Sequence, residues 1–290
     1  MCRPLAAGNK PDGEGPHCAR RSLWPRPSSP ETVACYRAFV EIATTPARAI
    51  APPGAPDPIE AEWLGRVPYR VAWDLQKRLA AARADGDIGD RLLLLEHPAV
   101  LTLGKHADAT HVRATRAELE RRGIEVIRVE RGGEVTYHGP GQLVAYPILG
   151  LSRRGLLLRP LVRALEAAMI ETCAAFGVQA ARRDGHPGCW CDSESPSPRK
   201  IGALGIRVER GVSYHGLALN VAPDLTDFDL IDPCGMPDVA STSIGRELGL
   251  LDQSPSSAPV ERAAQILAGA LAAALGTRLT GDPRLRPGSA

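Results

Sequence analysis

Residues 200–221, KIGALGIRVERGVSYHGLALNV, contain two β-rich runs, KIGALGIRVER (200–210) and VSYHGLALNV (212–221), on either side of a single Gly211. A glycine between two such runs supplies the positive φ that a tight turn demands, so the stretch predicts a β-hairpin. Pairing would set KIGALG (200–205) beside HGLALN (215–220). Small residues at Gly202, Ala203, Gly205, Gly216 and Ala218 would then open a slot in which an acyl chain or a flat ligand lies against backbone. The same residues also permit close packing of a sheet on a helix, and on the hairpin alone that plainer reading prevails.

Around this hairpin the chain alternates irregularly between helical and extended patterns. Upstream, YRVAWDLQKRLAAARADG carries Ala72, Leu75, Leu79 and Ala82 on one stripe, with Pro68 suited to its first turn and Gly86 to its end. LLLLE (92–96) and AVLTLG (99–104) read as buried strands interrupted at His97-Pro98. Thr115 and Glu118 have capping-box spacing before a short helix ending at Gly123, and IEVIRVE (124–130) alternates as a strand. Residues 142–149 form another strand, and LRPLVRALEAAMIETCAAFG places Val162, Leu165, Met169, Cys173 and Phe176 on one helical face. CWCDSESPSPR (189–199) reads as a polar loop, and an Ala-rich helix covers 259–276. The order is neither strict strand–helix alternation nor all-β, so the expected fold class is α+β, a mixed β-sheet flanked by helices.

Of the 26 prolines, 11 fall in residues 1–60, where no apolar period persists; residues 1–60 are therefore expected to be a disordered Pro-rich leader, 61–276 a single domain and 277–290 a frayed tail. The 290 residues carry 35 Lys+Arg against 33 Asp+Glu, a formal charge of +2, which argues against a strongly polyanion-binding protein and points to no nucleic-acid partner. No run reaches the about 18 apolar residues of a membrane helix and the N-terminus lacks a secretory pattern, so a cytoplasmic protein without membrane contact is expected. Seven scattered cysteines, an odd number, argue against a disulfide scaffold.

Four segments have the composition of a chemical site. RGGEVTYHGPGQ (131–142), between two strands, combines glycines that let backbone N–H groups approach a ligand with the polar anchors Thr136, Tyr137, His138 and Gln142. It lacks the spacing of a Walker loop or a dinucleotide fingerprint. KIGALG and HGLALN are the second and third. DPCGMPD (232–238) sets Cys234 in a Pro/Gly turn, in contrast to Cys173 on an apolar helical face. A thiol of pKa about 8.5 needs a nearby cation to be reactive at neutral pH, and Lys200 is the candidate. His186, Cys189 and Cys191 suggest metal ligands, but a second Cys pair is missing and no metal is expected.

The order of these segments, LLLLEHPAVLTLGK, RGGEVTYHGPGQLVAYPI, KIGALGIRVERGVSYHGLALNV and LIDPCGMPDVASTSI, resembles the lipoyl(octanoyl) transferase family over roughly residues 62–250. The resemblance implies the catalytic fold of biotin and lipoate ligases and a two-step transfer without ATP. In it, an octanoyl group passes from acyl carrier protein to a cysteine. It then passes to a lysine of a lipoyl domain, on a 2-oxoacid dehydrogenase or the glycine cleavage H protein. The resemblance assigns the nucleophile to Cys234 and the pKa-lowering lysine to Lys200. It assigns substrate contacts to Arg131, Gly132, Gly133, Glu134, Val135, Thr136, Tyr137 and His138, to Ala203, Leu204 and Gly205, and to Gly216, Leu217 and Ala218. PGCWC (187–191) departs from the PGVWV-like strand of relatives and brings two further thiols, Cys189 and Cys191, next to the expected site. The competing readings are an ATP-dependent lipoate or biotin ligase and a non-catalytic module that binds acyl carrier protein.

Overall fold

A computed structural model describes residues 57–232, 239–250 and 257–285. The expected leader, save its last four residues, and Cys234 lie outside the described residues.

The central element is the hairpin. Strands β9 (Arg199–Glu209) and β10 (Val212–Asn220) pair antiparallel from Glu209↔Val212 to Gly202↔Leu219. Their two-residue turn has Arg210 at φ 49° and Gly211 at φ 76°, the paired positive values of a type I′ turn, whose twist matches that of the strands. Earlier in the chain come β1 (Ile59–Arg66), α1 (Tyr69–Asp85), β2 (Asp90–Glu96), β3 (Val100–Leu103), α2 (Arg116–Arg122), β4 (Glu125–Arg128), β5 (Val135–His138) and β6 (Gln142–Ile148). They are followed by α3 (Leu151–Arg154), α4 (Leu158–Ala175), β7 (Ala181–Arg183) and β8 (His186–Cys191). After the hairpin come β11 (Ala240–Ser241), α5 (Ile244–Glu247), α6 (Ser257–Ala274) and β12 (Leu279–Gly281).

Among the described residues the main sheet runs β12-β1-β2-β6-β10-β9-β8-β7, with β11 added parallel to β9, and a second sheet runs β4-β3-β5. Pairs β1–β12 and β1–β2 are parallel and the rest of the main path is antiparallel, giving the mixed sheet expected. Both faces of the main sheet are covered. Leu92 and Leu94 of β2, with Leu143 and Ala145 of β6, pack on Leu161, Leu165 and Met169 of α4 and Leu267 and Leu271 of α6. Leu93, Leu95, Val144 and Tyr146 pack on Ala72, Leu75 and Leu79 of α1. Burial on two sides is why LLLL shows no alternation. Each of these fully buried leucines contributes about 1.5–3 kcal/mol.

Helix α1 ends at Gly86 in the left-handed conformation, and Thr115 Oγ1 accepts the Glu118 N–H at the start of α2, both as the sequence predicts. Four expectations need correction. The C-terminal segment is not frayed through residue 285: β12 pairs with Ile59–Ala61, and Leu285 is buried. The domain also begins earlier than residue 61, at β1, whose eight residues follow a Pro-rich stretch and bury only part of one face. Cys189–Cys191 belong to strand β8, not to a loop, and the polar loop starts at Asp192. RGGEVTYHGPGQ is not a plain connection between strands, since it contains β5 and turns at Gly139–Gly141 into β6.

A buried ion cluster joins α1 to the sheet. Asp90 Oδ1 accepts from Arg83 Nε at 2.5 Å and from the Gly150 N–H at 2.9 Å, while Oδ2 accepts from Arg154. Asp90→Ala leaves two guanidinium groups without their carboxylate and should lower unfolding free energy by about 3–5 kcal/mol in urea titration. Asp85→Ala, which removes only an exposed pair with Arg210, should cost less than about 1 kcal/mol.

Candidate active site

A pocket of about 490 Å³ opens over the hairpin, a size suited to a small ligand. One wall is formed by Lys200, Ala203, Leu204 and Gly205 of β9 and His215, Gly216, Leu217 and Ala218 of β10. The other comes from Arg131, Gly133, Glu134, Val135, Thr136 and His138, in and before β5. Two residues of the expected set stay outside it. Gly132 donates its N–H to the Ile206 carbonyl at 3.1 Å, fastening the glycine-rich segment to β9. Tyr137 points into the cluster around Phe228, where its hydroxyl donates to Asp227 Oδ2 at 2.6 Å. Alternation along β5 turns Tyr137 with Val135 toward that cluster, and Val135 meets the pocket only at the start of the strand.

The slot reading holds for the hairpin only in part. A Cβ at Gly205 would come within 2.9 Å of Arg131 Cδ, one at Gly216 within 2.1 Å of the Ala145 carbonyl oxygen, and one at Gly202 within 2.5 Å of Met169 Sδ. Those glycines are required by neighbouring protein atoms. The apolar lining itself is Val135, Ala203, Leu204, Leu217 and Ala218.

Lys200 is buried, with Nζ 4.9 Å from the centre of the Trp190 ring, a cation–π distance. Gly188, at φ 142°, makes room for it: an added Cβ would lie 2.7 Å from the Gly202 carbonyl oxygen and 3.0 Å from Lys200 Cε. The Lys200 carbonyl accepts the Thr242 N–H at 3.0 Å, and Ser241 of β11 pairs with Lys200. A buried amide chain reaches the same point from the pocket. His138 Nδ1 donates to Gln142 Oε1 at 2.7 Å, Gln142 Nε2 to Asn220 Oδ1 at 2.9 Å, and Asn220 Nδ2 to the Thr242 carbonyl at 2.9 Å.

Residues missed from the sequence complete the pocket: Tyr69, Tyr146 and His215 on its inner side, and Gly185, His186 and Pro187. Tyr69 and Tyr146 sit on a helix and a strand whose patterns read as core, so only their polar tips hinted at a site. His97 lies behind them. Its Nδ1 stands 2.6 Å from the Val67 carbonyl oxygen, which can only accept, so Nδ1 carries the hydrogen and Nε2 accepts from the Tyr146 hydroxyl at 2.8 Å. Burial drives the His97 pKa down to about 4 and also lowers those of His138 and His215. Burial likewise raises the phenol pKa of Tyr69 and Tyr146.

Cys189 and Cys191 turn into the apolar core with Cys173, on the α4 side of the sheet. The Cys173 contact and then burial raise the Cys189 pKa, and burial pushes that of Cys191 up to about 12, so these thiols stay protonated. Their proximity in sequence to the expected site does not bring their sulfurs into the pocket lining. Among the described residues no group of three His, Cys, Asp or Glu side chains is placed to hold a metal ion. None of their helices is long and apolar enough to cross a membrane.

The fold sets a pocket over a mixed-sheet hairpin, with a buried lysine and a glycine-rich wall; residues 68–271 match the lipoyl protein ligase A/B catalytic domain, and the chain belongs to that family. Within it the chain belongs with the octanoyltransferases. It is 49% identical over 203 residues to the octanoyltransferase of Chloroflexus aurantiacus strain J-10-fl, covering 70% of this chain and 88% of that protein. It is 39% identical over 241 residues to that of Burkholderia cenocepacia, covering 76% and 94%. Among solved structures, the bi-partite lipoate protein ligase of Thermoplasma acidophilum superposes with a TM-score of 0.54 at 14% identity, over 79% of this chain and 87% of that one. Lipoate-protein ligase A bound with ATP gives 0.52 at 17%, over 78% and 88%. At such identities the likeness establishes the fold.

The three buried histidines make stability depend on pH. Each is neutral when folded, with a pKa below the value of about 6.5 that it has unfolded, so the unfolded chain takes up protons first as pH falls. For His97 stability is therefore full above pH 6.5 and is lost between pH 6.5 and about 4. The unfolding free energy from urea titration should drop steadily over this range, by roughly 1.4 kcal/mol per pH unit for each histidine still neutral when folded. His97→Gln should flatten the slope.

Proposed function

We propose that this chain transfers an octanoyl group from acyl carrier protein to a lysine of a lipoyl domain through a thioester on Cys234. Membership of the octanoyltransferase family makes it an acyltransferase of protein lipoylation. What supports the further reading is the pocket itself, an apolar lining that ends at a buried lysine.

The anchoring of residues 232 and 241 supports a role for Cys234. The Asp232 N–H donates to the His111 carbonyl at 2.8 Å, and His111 Nδ1 stands 3.3 Å from Glu134 of the pocket wall. On the far side of the segment Ser241 pairs with Lys200. The chain thus leaves the described fold next to one wall of the pocket and rejoins it at the lysine.

In the proposed first step, the Cys234 thiolate attacks the donor's thioester carbon. The tetrahedral adduct expels the phosphopantetheine sulfur, which takes a proton from the Lys200 ammonium and leaves as a thiol, so that Lys200 is left as the neutral amine. Exchange of one thioester for another is nearly balanced, so positioning and charge stabilisation suffice and neither ATP nor a metal is required. The Lys200 ammonium favours the thiolate by charge. In the second step the acceptor amine attacks the acyl-enzyme carbon, Cys234 leaves as the thiolate, and the amine's excess proton passes to the Lys200 amine. Formation of an amide from a thioester drives the sequence forward.

Incubation with octanoyl-acyl carrier protein alone should add one octanoyl group to the wild type in intact-mass spectra, without ATP and in the presence of EDTA. Cys234→Ala should show no adduct, and Lys200→Ala should slow its formation by about 10²–10⁴-fold. An adduct that forms at the wild-type rate on Cys234→Ala, or a demand for ATP, would overturn the reading.

A further inference from the structure

His215 has the features of a pocket residue that the transfer chemistry leaves unused. Its φ is 55°, a left-handed conformation inside a strand, where non-glycine residues are held only under constraint. The constraint is visible: its N–H donates to Gln76 Oε1 at 2.8 Å, and the ring stacks on Tyr214 at 5.1 Å. The side chain is buried and lines the pocket, yet neither ring nitrogen has a hydrogen-bond partner. Nε2 stands 3.7 Å from Glu130 Oε1, beyond hydrogen-bond length, so the carboxylate acts on it by charge alone.

Its position along the hairpin is set by register. The pocket floor consists of the rungs Ala203↔Ala218, Leu204↔Leu217 and Gly205↔Gly216, and the next rung is Ile206↔His215. Beyond His215 neither strand contributes to the lining. At the other end, the Lys200 amine lies in the neighbourhood of Gly202, since a Cβ built on Gly188 would be 2.7 Å from the Gly202 carbonyl oxygen and 3.5 Å from Lys200 Nζ, and Gly202 serves as the reference level. Four residues of strand separate that level from the closing rung, about 13 Å. Subtracting a contact distance of about 4 Å leaves roughly 9 Å. Seven zigzag carbon–carbon bonds of about 1.5 Å, an eight-carbon chain, span about the same length.

The geometry points to His215 as the residue that sets acyl-chain length, its imidazole closing the far end of the pocket one octanoyl length from Lys200. A longer chain would press methylenes on a buried ring whose backbone is pinned by Gln76, so the rejection rests on this steric stop. This inference rests on the acyl-transfer reading above, and names the substrate that the same pocket selects.

The test compares acyl-enzyme formation from octanoyl-, decanoyl- and dodecanoyl-acyl carrier protein. His215→Gly keeps the left-handed backbone and removes the ring, and should raise the decanoyl-to-octanoyl ratio of kcat/KM by about 10-fold or more. His215→Asn, also tolerant of this conformation and shorter, should give a smaller shift in the same direction. An unchanged ratio in a folded variant, or a fall shared equally by all three donors, would overturn the inference. So would a wild type that takes dodecanoyl as readily as octanoyl, a measurement that holds even if neither variant folds. Should the wild type form no acyl-enzyme with any donor, the transfer reading fails instead; the gauge is then read from calorimetric affinities of the wild type for octanoate and decanoate, where equal affinities would overturn it.

Discussion

The register between β9 and β10 is the constraint on which the site depends. A turn of only two residues, both at positive φ, leaves one way to pair the strands, and that pairing places Ala203, Leu204 and Gly205 opposite Ala218, Leu217 and Gly216. A slip of one residue would turn each side chain of one strand to the opposite face. Lys200 would leave Trp190, and Gly205 would no longer stand where Arg131 crosses the strand. The same register carries β11 against Lys200 and so ties the far end of the segment that includes Cys234 to the lysine.

The pocket exists because backbones approach closely around it. Gly216 lets β10 lie against the Ala145 carbonyl of β6, Gly205 admits the Arg131 side chain, and Gly188 admits that of Lys200. Arg131 in turn donates to the Thr102 carbonyl at 2.7 Å and to the Gly132 carbonyl at 3.0 Å, and with the Gly132 N–H donating to Ile206 of β9 the segment joins the small sheet to the large one. The glycines that read as an open slot are thus points of contact between elements. The space for a ligand is what remains over Ala203, Leu204, Leu217 and Ala218.

Much of this was legible in the sequence, for identifiable reasons. Glycines at Gly86, Gly123 and Gly211 mark ends and turns by conformation, and LLLL betrays a strand covered on two faces. The glycine-rich segment stood out by composition, while Lys200 and Cys234 were singled out by the resemblance to the octanoyltransferases and not by their own spacing. What escaped was set by tertiary pairing. Strands β1 and β12 are too short or too unevenly buried to show a period, and each is held by the other. Tyr69, Tyr146 and His215 belong to elements whose patterns are those of core, and only the assembled fold shows their polar tips meeting at one pocket. Cys189 and Cys191 were misread as loop residues because the polar stretch that follows them dominates local composition.

Burial also sorts the ionisable groups by function. On the α4 side of the sheet, Cys173, Cys189 and Cys191 share an apolar core that holds the last two as thiols, and there they serve as small apolar side chains. On the pocket side, burial keeps His97, His138 and His215 unprotonated and Tyr69 and Tyr146 un-ionised, so these five side chains are polar but uncharged. Arg131 is a cation beside them, and its donors are turned onto protein carbonyls. Among the five, His97 and Tyr146 turn their hydrogen-bonding atoms onto each other and onto Val67, and His138 turns Nδ1 onto Gln142, so these dipoles are engaged before any ligand arrives.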